Sequence, residues 1–99
     1  MEESDLYKKY KSAYDFAYIK SFNEMYDSGK RVTVMTAHIV SNNIAQERAR
    51  IRVSGMVSPH FNLAPIESKV EELMAHQAGI TLDDLRCSEY SNTYTESVH

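Results

Sequence analysis

The side chains best suited to metal chemistry in this chain are His38, His60, His76, Cys87 and His99, and no two lie within four residues of each other. Ligands that chelate from one element sit a few residues apart, as in Cys-x2-Cys or His-x3-His. A local metal centre is therefore not expected, and the histidines read as surface or hydrogen-bonded groups. Cys87 has Arg86 and Ser88 beside it. A reactive thiol needs an electropositive pocket and a base. One adjacent guanidinium supplies neither fully, so an inert thiol is expected. No Gly-x-Ser-x-Gly run occurs, and Gly29, Gly55 and Gly79 are too scattered to wrap a phosphate. Glu71-Glu72 and Asp83-Asp84 are carboxylate pairs. Adjacent residues diverge on a helix, so they read as solvated faces and not as an acid–base pair. The expectation is a protein that is not an enzyme, with no cofactor and no metal.

One pattern has an attractive mechanism: Arg48-x-Arg50-x-Arg52. On a strand, side chains two apart point to the same side at about 7 Å per step. That roughly matches successive phosphates, and a two-stranded ribbon can enter a major groove. The plainer reading is a solvated face or salt bridges to acidic helices. The charge distribution gives both readings some basis. Residues 1–27 are net −2, residues 30–52 net +4 and residues 66–96 net −5, within a chain of net charge −3. A basic block stands between two acidic ones.

The elements that must position these residues follow from periodicity. Residues 5–28 read as an amphipathic helix. Tyr7, Tyr10, Tyr14, Ala17, Phe22 and Met25 recur at helical spacing, with Leu6, Tyr18 and Tyr26 beside them. Ser4 or Asp5 suits its N-cap and Gly29 its end. A tyrosine stripe is usually core with hydroxyls at the rim. Tyrosine is also enriched at binding hot spots, which makes Tyr7, Tyr14 and Tyr18 candidate contact residues.

Residues 31–57 admit two readings. Residues 31–40 are rich in Val, Thr and Ile, which favours a strand. With Asn42-Asn43 as a turn, Val40 pairs with Ala45, Thr36 with Ala49, Val34 with Ile51 and Val32 with Val53. His38 opposite Glu47 is the polar exception on that face. The other face pairs Thr33 with Arg52, Met35 with Arg50, Ala37 with Arg48 and Ile39 with Gln46. One face is mainly apolar and the other carries the three arginines, so a β-hairpin is preferred. The rival is a helix over about 36–52, favoured by the Gly- and Pro-free run 43–52, with Ala37, Val40, Ile44 and Ile51 on its inner stripe.

Residues 58–65 hold Ser58-Pro59 and Ala64-Pro65 and read as a loop, with Pro65 in the first turn of a helix. Ile66, Val70, Leu73, Met74 and Gln77 trace that helix, which Gly79 closes; Thr81 and Asp84 then open a short helix through Leu85. Residues 69–86 resemble the first helices of the DNA-binding domain of the bacterial replication initiator, over less than a fifth of the chain. The basic segment that follows in that family is here Cys87-Ser88-Glu89-Tyr90-Ser91-Asn92. The stretch is therefore read as a helix-Gly-Ile-Thr-helix corner. Residues 88–99 are polar, with Tyr90, Asn92, Tyr94, Glu96 and Val98 alternating with hydroxyl residues. They fit a C-terminal edge strand or a flexible tail equally well.

The expected fold is thus α+β: an N-terminal amphipathic helix, a β-hairpin, a helix and a short helix, in one domain over 1–99. With 99 residues, such a domain is marginal alone, so a homodimer is expected. The acidic N-terminus lacks a secretory pattern, one cysteine cannot form an internal disulfide, and no apolar run spans a membrane, so a cytoplasmic location is expected. The leading function is a small non-catalytic binding or regulatory protein, an adaptor or inhibitor of the size phages and other mobile elements encode, acting on an unknown protein partner. The rival is a nucleic-acid binder using Arg48, Arg50 and Arg52.

Overall fold

The computed structural model describes residues 3–27 and 33–86. They form four α-helices: α1 (Glu3–Asp27), α2 (Val34–Val53), α3 (Ala64–Ala78) and α4 (Leu82–Leu85), with a 3₁₀ turn at Ser54–Met56 continuing α2. No strand occurs among the described residues. The α+β expectation and its hairpin are therefore overturned. The postulated turn, Asn42-Asn43, lies in the middle of a 20-residue helix. The rival helix is the one that forms, though its proposed inner stripe fails. Ala37 is buried, but Ile44 and Ile51 are exposed.

The reason the hairpin register looked clean is geometric. Residues four apart lie on one side of a strand and also on one side of a helix. Ala45, Ala49 and Val53, which sorted onto one strand face, are the buried face of α2. Helix formation is favoured by three alanines and by Gln46, Glu47 and the arginines. The Thr33 hydroxyl caps the helix, accepting from the Thr36 amide at 3.1 Å. Arg50 and Arg52 in the last turn suit the negative end of its dipole. The β-branched residues at its start cost only tenths of a kcal/mol each.

α1 begins at Glu3, so Ser4 and Asp5 are helical residues and do not cap it from outside. Its buried stripe runs Leu6, Tyr10, Tyr14, Tyr18 at intervals of four, then Met25. Neighbouring rings stand 6.4 Å (Tyr10–Tyr14), 5.7 Å (Tyr14–Tyr18) and 6.5 Å (Tyr18–Phe22) apart. Large rings on α1 meet small residues on α2, chiefly Ala45 and Ala49. The two helices run antiparallel, since Tyr14 bonds to Asn42 and Tyr18 to His38. α3 adds Ile66, Val70, Met74 and Ala75 to the same core, and α4 adds Leu85. Pro65 stands in the first turn of α3. Gly79 ends that helix at φ +73, with its own amide and that of Ile80 turned back onto His76 and Ala75. Thr81 caps α4 by accepting from the Asp84 amide at 3.0 Å. The boundaries expected within residues 64–85 hold, but Leu73 and Gln77 of the expected apolar stripe are exposed, and Glu71, expected on a solvated face, is buried. The expected stop at Gly29 and the edge strand or tail at 88–99 lie outside the described residues.

A buried polar network crosses the layers. The Tyr14 hydroxyl donates to Asn42 Oδ1 at 2.5 Å, and Asn42 Nδ2 donates to Glu71 Oε2 at 3.0 Å. The second oxygen of Glu71 accepts from Arg86 Nη2 at 2.8 Å and Nε at 3.2 Å. Arg86 Nη2 also donates to the Ser68 hydroxyl at 3.1 Å. Asn42 and Glu71 are nearly inaccessible, while Arg86 carries the charge out to water. By contrast, the buried hydroxyls of Tyr10 and Ser41 have no partner among the described residues. An unpartnered buried hydroxyl costs about 1–3 kcal/mol.

Two substitutions that remove the same atom should therefore act in opposite directions. Tyr14→Phe leaves Asn42 Oδ1 without its donor and should cost about 1–3 kcal/mol. Tyr10→Phe removes an unpaired group at constant shape and should leave stability unchanged or raise it. Urea unfolding of both variants checks this; equal losses would refute the assignment of the network.

Candidate functional site

A two-residue step on a helix turns a side chain by about 200°. The three arginines therefore do not share a face. Arg50 turns toward α3 and holds Glu67 through Nε and Nη2, both at 2.9 Å. These two hydrogen bonds to Glu67 push its pKa above the ordinary guanidinium value. Arg48 and Arg52, one turn apart, face the other way. Tyr14 and Tyr18 lie sealed in the core, and burial drives their hydroxyl pKa values far up. Tyr7 is half-buried, with the Lys69 ammonium 4.7 Å from its ring centre. None of the three tyrosines presents an open aromatic face.

Arg48 and Arg52 form one wall of a groove of about 690 Å³ between α1 and α2. By helical geometry it lies on the side of α2 away from Arg50, and so away from α3. Its floor includes Ala13, Phe16, Ala17 and Ile44. Phe16 is 72% exposed and Ile44 37%. Ile19, one turn beyond Phe16, and Ile51, one turn beyond Arg48, are also open, at 56% and 62%. Lys9 and Lys20 of α1 complete the basic rim, and Glu24 is the one acid lining it. None of Lys9, Lys20, Arg48 and Arg52 makes a salt bridge with a described residue. The dipole of α2 favours Arg52 but not Arg48, which lies mid-helix. Like charges four apart on a helix cost a few tenths of a kcal/mol, so local stability does not explain this wall.

Sequence reasoning found Arg48 and Arg52 but missed Phe16, Ile44, Lys9 and Lys20. The signal was present at Phe16. It lies about 200° around α1 from Tyr14, a large apolar residue on the side turned away from the core stripe.

A second polar contact joins α1 and α2 outside the groove lining. The Tyr18 hydroxyl and His38 Nδ1 are 2.6 Å apart, with the Phe22 ring centre 4.7 Å from the imidazole. Burial holds the His38 pKa below its ordinary value of 6.5, which favours the neutral ring beside the tyrosine hydroxyl. His60 and His76 are exposed, and Cys87 and His99 lie outside the described residues. Among the described residues, no group of three His, Cys, Asp or Glu side chains is placed to hold a metal ion. No helix among them is long and apolar enough to cross a membrane.

Because the folded pKa of His38 lies below the unfolded one, the unfolded chain takes the proton first as pH falls. The stability present above about pH 6.5 should decline below it, and His38→Gln should remove that part of the decline. Urea midpoints at pH 7.5 and 5.5 test this; parallel losses in both proteins would assign the decline to other groups.

No protein-family model, curated protein or solved structure matches this chain.

Proposed function

We propose that the protein is a small non-catalytic binding protein, an adaptor or inhibitor, that acts through protein–protein contact on the open α1–α2 face. One observation carries this reading: a groove with apolar lining and a rim of cations that have no salt bridge among the described residues. Apolar area left in water this way, ringed by polar groups, is what binding surfaces present. The buried network supports the reading from the other side. Asn42 and Glu71 spend their polar atoms on holding helices together, while the groove side chains are free of that task.

The second reading, nucleic-acid binding, keeps two of its three arginines and gains Lys9 and Lys20. The same four cations favour it. The exposed Ile44 does not, because phosphate contact gives an aliphatic side chain nothing to bury against. Self-association through the groove in a twofold arrangement is disfavoured. An isologous contact sets each patch against its own copy, which would bring the basic rims together.

Phe16→Asp separates the readings. Position 16 is open, so the fold should survive. Proteins captured from native lysate should be retained after nuclease treatment and lost with Phe16→Asp. Capture that vanishes with nuclease and with Arg48→Ala/Arg52→Ala, but survives Phe16→Asp, would establish nucleic acid as the target.

A further inference from the structure

We infer that the occupant of the groove is an acidic amphipathic helix of a partner protein, laid between α1 and α2; this rests on the protein-binding reading above. The shape comes first. α1 and α2 form an antiparallel pair, and α3 packs against the pair from one side. Two parallel ridged cylinders leave an equivalent valley on the other side, and a third helix is the element that fills such a valley along its length. On α1 the lining runs from Lys9 to Glu24, roughly 22 Å at about 1.5 Å per residue, room for about four turns.

The chemistry comes second. Phe16 and Ile44 are open in the groove, and Ile51, two turns from Ile44 on α2, extends the apolar surface, so the occupant must bring apolar side chains. A helix does so every three or four residues, which is how amphipathic helices read apolar grooves. Four cations against one acid then demand carboxylates on its flanks. A second copy of this chain offers the wrong sign if it brings the same face. A phosphate backbone offers nothing apolar to cover Ile44 or Ile51, and an anionic bilayer is one arm of the test.

The test uses the full chain and two designed peptides of about 18 residues, five turns of helix. Both carry leucines at the same positions along one face. One bears glutamate at the flanking positions and the other lysine. Binding is read by fluorescence anisotropy, and the site by amide shifts around Phe16 and Ile44. The glutamate peptide should bind at least about tenfold more tightly, one 1.4 kcal/mol step. The exposed double variant Arg48→Glu/Arg52→Glu should invert that preference while keeping its helical circular dichroism. Equal affinity for both peptides at the groove overturns the acidic partner and leaves the protein-binding reading standing. Binding of neither peptide overturns the inference outright. If duplex DNA or phosphatidylserine vesicles then bind, and lose affinity in the double variant, the protein-binding reading falls as well.

Discussion

The side-chain amide of Asn42 sets the arrangement of every helix. It accepts from Tyr14 on α1, donates to Glu71 on α3, and lies 3.5 Å from the Leu85 carbonyl at the end of α4. Apolar burial supplies most of the driving force for such a fold, but it has no direction. A buried amide does. Turning α2 by a fraction of a turn would leave Asn42 and Tyr14 unpaired out of water, at about 1–3 kcal/mol each, and Glu71 held by Arg86 alone. That sum is large against the 5–15 kcal/mol of a whole domain. With Asn42 in place, Ala45, Ala49 and Val53 must face the tyrosines and Arg50 must face Glu67. Arg48 and Arg52 are left on the open side.

α2 therefore serves three masters around its circumference. One face is small and accepts the rings of α1. A second is polar and meets α3. The third faces water with Ile44, Arg48 and Arg52. The buried network and the groove share a backbone but not a side chain. Substitutions on the open face can change what is bound without disturbing what holds the helices together.

This division explains what the sequence disclosed. α3 and α4 were legible because their boundaries are chemical: Pro65, Gly79 and the Thr81 cap act locally, whatever the rest of the chain does. α1 was legible because it buries one stripe, and Leu6, Tyr10, Tyr14 and Tyr18 repeat at four. α2 was misread because it buries more than one side. Asn42, Ala45, Ala49 and Val53 form one stripe, but Ala37 and Ser41 are buried on one flank of it and Ile39 on the other, and the combined pattern blurs any single helical stripe. A period of two then looked cleaner than it was, because multiples of four satisfy it. For the groove, the basic half was visible as Arg48 and Arg52. The apolar half was not, since Phe16 and Ile44 come from different helices and meet only once the tyrosine–alanine contact has formed.

The row of sealed phenols has one more consequence. Tyr10, Tyr14 and Tyr18 are all held neutral by burial, with pKa values raised above the ordinary 10.0. In the unfolded chain each would ionise near that value, so above it the unfolded state holds fewer protons than the folded one and stability falls. The core of this protein is thus built from weak acids. Alkali acts on it as a denaturant, and it does so through the residues that pack the two long helices together.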